Sequence, residues 1–130
     1  MHITEFEKLV QQGVLMIPQK FRDKLDNVVI TVAEEPSAEQ LSKLGYRQGT
    51  LLFGLYEGVP QLRRGVHYNM AIPDRITIFK NPIERVARTP EQIKQKVRDT
   101  VYHEIAHHFG MDEKEIRLVE KKRLKRNRLE

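Results

Sequence analysis

The feature that most restricts the fold is one segment, residues 89–110, which carries both the start and the stop signal of a long helix. Thr89 can cap it, Pro90 suits its first turn, and Gln92 completes a capping box. Gly110 provides the stop. Apolar side chains at helical spacing form one stripe: Ile93, Val97, Val101, Ile105 and Phe109. The helix therefore needs a partner layer, such as a sheet, against which this stripe can pack.

The rest of the chain supplies candidates for that layer. Segments rich in β-branched and apolar residues predict three strands, at 28–33, 51–57 and 75–80. The first is expected to be largely buried, and the third, which alternates polar and apolar residues, to bury one face. Asn81-Pro82 is expected to end the third strand.

Further helices are predicted from periodicity and capping residues. They cover residues 4–12 with a stop at Gly13, a short stretch from Pro18, a capped helix between Ser37 and Gly45, and a charged stretch from about Asp112. This order predicts an α+β fold in a single domain over residues 1–130. The small mixed sheet should have about three to four strands, packed against helices.

Composition excludes several classes of protein. The 130 residues contain no cysteine, so any metal site must use His, Asp or Glu. No apolar run approaches the length of a membrane span. The N-terminal residues lack the basic start and apolar stretch of a secretory signal, which predicts a cytoplasmic protein.

The long helix contains the pattern His103-Glu104-Ile105-Ala106-His107, or HExxH. Two histidines four residues apart project from the same face of a helix and can bind one metal ion. Glu104 lies close enough to reach a water molecule on that metal. Both histidines fall clear of the apolar stripe, whereas His108 falls inside it and is predicted to be a core or interface residue.

A turn follows the HExxH pattern. Gly110 lets the chain reverse sharply, and Glu113 lies six residues after His107. Such a turn can bring a side chain back to the metal as a third ligand. Glu113 is the candidate for this role, and neighbouring Asp112 is its rival.

These motifs resemble those of the small bacterial zincin-like metallopeptidases. The resemblance extends over nearly the whole chain, at residues 6–10, 17–18, 27–32, 51–60, 75–79 and 82–85 and in the HExxH helix. It implies a minimal zincin fold with one zinc ion held by His103, His107 and an acidic third ligand. It also implies Glu104 as the general base for hydrolysis of peptide bonds in a peptide or protein substrate.

The chain departs from the longer zincins in two respects. Those proteins usually have His or Asp where Glu113 stands, and they have a methionine turn that has no counterpart here. Other candidate site residues are not fixed by spacing. Asp99 could orient the second ring nitrogen of His103. Candidates for stabilising the transition state or contacting substrate are Tyr56, His67, Tyr68 and Arg75, and His108 is a further candidate for supporting the site or contacting substrate. The substrate-binding edge strand could be 51–57 or 75–80.

Two alternatives remain at the level of sequence. Bacterial endoribonucleases that mature ribosomal RNA use three histidines at the same spacing, and Gly110 and Asp112 match their turn. Glu104 and Glu113 do not match them, and Glu104 favours peptide hydrolysis. A degenerate zincin that only binds a partner is the other alternative.

The basic charge of the chain is concentrated in its C-terminal tail, residues 117–130. The whole chain has a formal charge of +5, and residues 117–128 contain seven Lys and Arg against one Glu. The tail could bind nucleic acid. No aromatic residue interleaves these charges, so a solvated helix end is the favoured interpretation.

Overall fold

A computed structural model describes residues 1–58 and 73–109. The described helices are α1 (Ile3–Leu15), α2 (Gln19–Arg22), α3 (Ala38–Lys43), α4 (Lys80–Val86) and α5 (Pro90–His108), with a 3₁₀ turn at Asp23–Leu25. The strands are β1 (Val28–Ala33), β2 (Gly54–Glu57) and β3 (Asp74–Phe79). Within these ranges the strands form one mixed sheet in the order β1-β3-β2. The α+β prediction is therefore confirmed, whereas the single domain over 1–130 stays a prediction.

The central position in the sheet belongs to β3. It pairs parallel with β1 and antiparallel with β2. Residues 76–79 are all buried, so the prediction that this strand buries only one face was wrong. Conversely β1, expected to be largely buried, lies at the edge and leaves Val29 exposed. Composition indicated strands correctly in both cases, but position in the sheet depends on pairing between distant segments.

Helix α5 forms as the sequence predicts. Thr89 and Gln92 make a capping box, and the apolar stripe is buried from Ile93 to Ile105. The stripe packs in one core with α1, α2 and β3, which includes Phe6, Phe21 and Ile76. This packing fixes the orientation of α5 and therefore of the HExxH pattern.

Helix α1 continues through Gly13, where the sequence predicted a stop. Gly13 is buried, and a Cβ atom there would lie 2.7 Å from the backbone oxygen of Lys94 and 3.0 Å from Cβ of Val97. The glycine allows α1 and α5 to approach closely. It is a packing residue, and the prediction of a helix end at this position was wrong.

Helix α4 was not predicted. Asn81-Pro82 indicated a break, but the chain turns directly from β3 into a helix that starts at Lys80. Pro82 is tolerated because a proline in the first helical turn loses no intrahelical hydrogen bond. Lys80 is buried, and its Nζ lies 3.2 Å from Oε1 of Glu84, one turn later. The strand ends at Phe79, one residue before its predicted end, and the helix follows at once.

Among the described helices, none has the length and apolar character that crossing a membrane requires. The cytoplasmic location stays a prediction.

Candidate functional site

The three residues of the HExxH pattern line one groove. His103, Glu104 and His107 share it with residues 51–54, which precede and begin β2. The imidazole centroids of His103 and His107 are 5.8 Å apart, with ring planes inclined by 17°. Both histidines are exposed, whereas Glu104 is half-buried. The helix thus presents two accessible imidazoles beside a partly desolvated carboxyl group.

Glu104 has a perturbed acidity. Burial raises the pKa of its carboxyl group above its ordinary value, because a charge in a desolvated environment is disfavoured. A hydrogen bond from the backbone N–H of Tyr56 opposes this rise, as does the positive potential of His107, His103 and His108. Desolvation outweighs these effects. The group is therefore closer than an ordinary glutamate to the range in which proton transfer near neutral pH is efficient.

The N–H of Tyr56 reaches Glu104 because the pairing register of β2 with β3 points this N–H away from β3. The N–H of Phe79 donates to the backbone oxygen of Phe53 over 2.9 Å, and Leu55 lies opposite Thr77. Backbone groups alternate in direction along an antiparallel strand, so Gly54 and Tyr56 direct theirs away from β3. In the described part of the chain no strand pairs with this outer edge of β2.

Gly54 allows β2 to lie close to α5. A Cβ atom at this position would be 2.6 Å from Cγ2 of Thr100, 3.3 Å from the oxygen of Thr77 and 3.4 Å from Cδ1 of Ile78. Thr100 lies one helical turn before Glu104. The missing side chain therefore brings the edge strand within hydrogen-bond reach of the carboxyl group.

Tyr56, a candidate for substrate contact, packs beside the histidine pair. Its ring stacks on His108 with centroids 3.7 Å apart, and its hydroxyl donates to Oδ2 of Asp74 over 2.5 Å. His108 is exposed, so the core alternative of its prediction was wrong, whereas the interface alternative stays a prediction. The apolar stripe runs out at the end of α5, where His108 and Phe109 meet Tyr56 instead of the core.

Arg75, another candidate, faces away from α5. Its side chain approaches Oε1 of Glu57 at 3.6 Å, and the amide of Gln40 donates to the same oxygen. Side chains alternate along a strand. Since Gly54 and Tyr56 face α5, Glu57 and its cross-strand neighbour Arg75 face the opposite side of the sheet.

Asp99 lies in the groove with His103, as a residue that orients that histidine would. Lys96 and Gly54 of the groove were missed at the level of sequence. Lys96 lies seven residues before His103, a spacing that places both on one helical face. Gly54 interrupts an apolar strand pattern, which indicates close approach of another element. Both signals were present in the sequence.

Several predicted residues lie outside the described ranges: Asp112, Glu113, His67, Tyr68 and the basic tail 117–130. Within residues 1–58 and 73–109, no group of three or more His, Asp or Glu side chains is placed to hold a metal ion. The described site therefore contributes two imidazoles, and the third ligand stays a prediction.

Comparison with known proteins gives a family and a fold. The family model described as zincin-like metallopeptidase matches residues 25–123. Among solved structures, a conserved hypothetical protein from T. thermophilus is similar, with 18% identity and a TM-score of 0.52 over 84% of this chain and 94% of that one. At this identity the likeness shows the fold alone. Comparison with curated proteins finds no match.

Proposed function

Because the chain belongs to the zincin-like metallopeptidase family, we propose that it is a zinc-dependent peptidase whose general base is Glu104. The observation that carries the proposal is the environment of Glu104. Its carboxyl group lies in one groove with His103 and His107 and has a raised pKa. A structural glutamate on a solvated helix face would have neither property.

The two histidines suit a zinc ion. Zinc binds imidazole nitrogens at about 2.0–2.1 Å. His103 and His107, whose ring centroids are 5.8 Å apart, would hold one such ion together. The third ligand in this proposal is Glu113, with Asp112 as the alternative. When bound, zinc supplies Lewis acidity and lowers the pKa of water to about 7.

The role of Glu104 follows from its surroundings. The N–H of Tyr56 holds the carboxylate in one orientation, and partial burial raises its proton affinity. The carboxylate can therefore accept a proton from the attacking water and pass it to the leaving amine. Asp99, in the same groove, would fix the ring orientation of His103.

The edge of β2 is suited to bind an extended peptide. Of the two predicted candidates, β3 is paired on both sides, whereas β2 is paired on one within the described ranges. Gly54 directs its N–H and C=O outward beside the groove, as Tyr56 does its C=O, while the N–H of Tyr56 donates to Glu104. A peptide that adds as a strand at this edge would have its backbone aligned next to Glu104.

The test compares metal content and cleavage in matched variants. Protein purified without added zinc should contain about one zinc ion per chain, and His103→Ala should lose it. His2→Ala, which changes an exposed histidine at the start of α1, is the control and should retain the metal. Unchanged zinc in His103→Ala would refute the assigned site.

Activity is tested with Glu104→Gln. This variant should retain zinc but lose cleavage of a broad peptide library, by at least the roughly 10²-fold expected for removal of a general base. Zinc binding without cleavage by the native protein would refute the peptidase and favour the degenerate zincin. Cleavage of RNA that depends on His103 would favour the endoribonuclease instead.

A further inference from the structure

The groove extends beyond the HExxH residues toward the start of α5. Its additional lining comprises Leu51, Leu52, Phe53, Lys96, Asp99 and Thr100. The apolar side chains of residues 51–53 form one wall, and α5 forms the other. The cavity measures about 290 Å³, so it is large enough for a substrate side chain or a chain end.

Lys96 is fixed at the far part of this groove. Its Nζ lies over the ring of Phe53, 4.0 Å from the centroid, and the residue is half-buried. Contact with an aromatic face holds an ammonium group in place without neutralising its charge. Among the described carboxylates, none lies within ion-pair distance of Lys96. The groove therefore contains an oriented cation that can pair with an anion.

The distance between Lys96 and the histidines defines where this anion would be. Lys96 and His103 are seven residues apart on one face of α5, about 10.5 Å along its axis. An extended peptide advances about 3.3 Å per residue. A strand antiparallel to β2 would direct its C-terminal part toward residues 51–53. The cation thus faces the substrate about three residues beyond the bond next to Glu104.

We infer that Lys96 is a specificity-determining residue that binds a carboxylate of the substrate at this end of the groove. This inference rests on the proposed peptidase function. The carboxylate has two sources, an acidic side chain or the C-terminus of the peptide. Either can reach an ammonium group that Phe53 holds in the groove wall.

The test measures binding to the Glu104→Gln protein with one equivalent of zinc, by isothermal titration calorimetry. Three alanine-based pentapeptides are compared: one with Gln and an amidated end, one with Glu and an amidated end, and one with Gln and a free C-terminal carboxylate. At least one carboxylate peptide should bind about fivefold tighter than the neutral peptide, as expected for a partly exposed ion pair. The tighter of the two identifies the source.

Variants of Lys96 test whether its ammonium group causes this gain in affinity. Lys96→Met should abolish it, because the stem remains and the charge is lost, and Lys96→Arg should keep it. Lys20→Met is the matched control, since Lys20 also lies over an aromatic ring, that of Phe21, but does not line the groove. Equal binding of all three peptides, no binding of any, or a gain that survives Lys96→Met would overturn the inference. The last result would place the carboxylate on another group, such as the zinc ion.

The role of Lys96 and the proposed peptidase function can be refuted independently of each other. Carboxylate preference without cleavage by the native protein would refute the peptidase and leave the binding site. Cleavage without carboxylate preference would refute the role of Lys96 and leave the peptidase.

Discussion

Substitution of Gly54 by alanine should disturb the site through the packing of β2 on α5. The added Cβ would lie 2.6 Å from Cγ2 of Thr100, against an optimal carbon–carbon separation of about 3.5–4.0 Å. The oxygen of Thr77, at 3.3 Å, restricts movement in another direction. The strand must therefore move away from the helix by about 1 Å.

The magnitude follows from this overlap. Overpacking of a well-packed interior costs about 1–3 kcal/mol. We expect Gly54→Ala to lower the free energy of unfolding by about 2 kcal/mol, with loss of the hydrogen bond from Tyr56 to Glu104. Thr100→Ser removes the clashing methyl group and keeps the hydroxyl that donates to the oxygen of Lys96. The double variant should therefore recover most of the stability.

Two measurements check this reasoning. Urea unfolding of the single and double variants gives the coupling energy between the two positions. The amide proton of Tyr56, followed by NMR, should move in Gly54→Ala and return in the double variant. Gly58→Ala is the control, because its Cβ would meet nothing closer than 3.7 Å. Wild-type stability with an unmoved Tyr56 amide in Gly54→Ala would refute the packing argument.

Three further predictions concern other parts of the chain. Gly13→Ala should destabilise the protein by about 1–3 kcal/mol in urea unfolding, although alanine has the better helix propensity. A gain in stability would contradict close packing of α1 on α5. Without added zinc, Glu104→Gln should raise the melting temperature at neutral pH and have less effect at low pH. The pKa of Glu104 is higher in the folded than in the unfolded protein, so the native protein loses stability as the pH rises from the unfolded-state pKa to the folded-state pKa. An equal change in melting temperature at both pH values would contradict this reasoning. Glu84→Gln should lower the free energy of unfolding by about 1–3 kcal/mol, because buried Lys80 loses its ion pair. Glu39→Gln on α3, whose ion pair is exposed, should lower it by less than about 0.5 kcal/mol. Equal losses in the two variants would refute this distinction between buried and exposed pairs.

The helices were predictable where local signals agree. The capping boxes at Thr89 and Ser37 both form, and α5 ends within a residue or two of the predicted point. Gly13 and Asn81-Pro82 misled the prediction because the same residue types serve different purposes. A glycine can end a helix or allow two helices to touch, and only the neighbouring element distinguishes these uses.

The placement of His103, Glu104 and His107 on one helix is a consequence of sequence alone. Their spacing and the apolar stripe behind them depend only on the helical period. Tertiary structure decides three other features. Strand β3 is central, the outer edge of β2 lies beside Glu104, and burial raises the pKa of this glutamate. Strand order and desolvation arise from contacts between residues far apart in the chain, such as Gly54 with Thr100. A local pattern such as the glycine at position 54 indicates close approach but not the partner, and the same strand-forming sequence fits either the edge or the centre of a sheet.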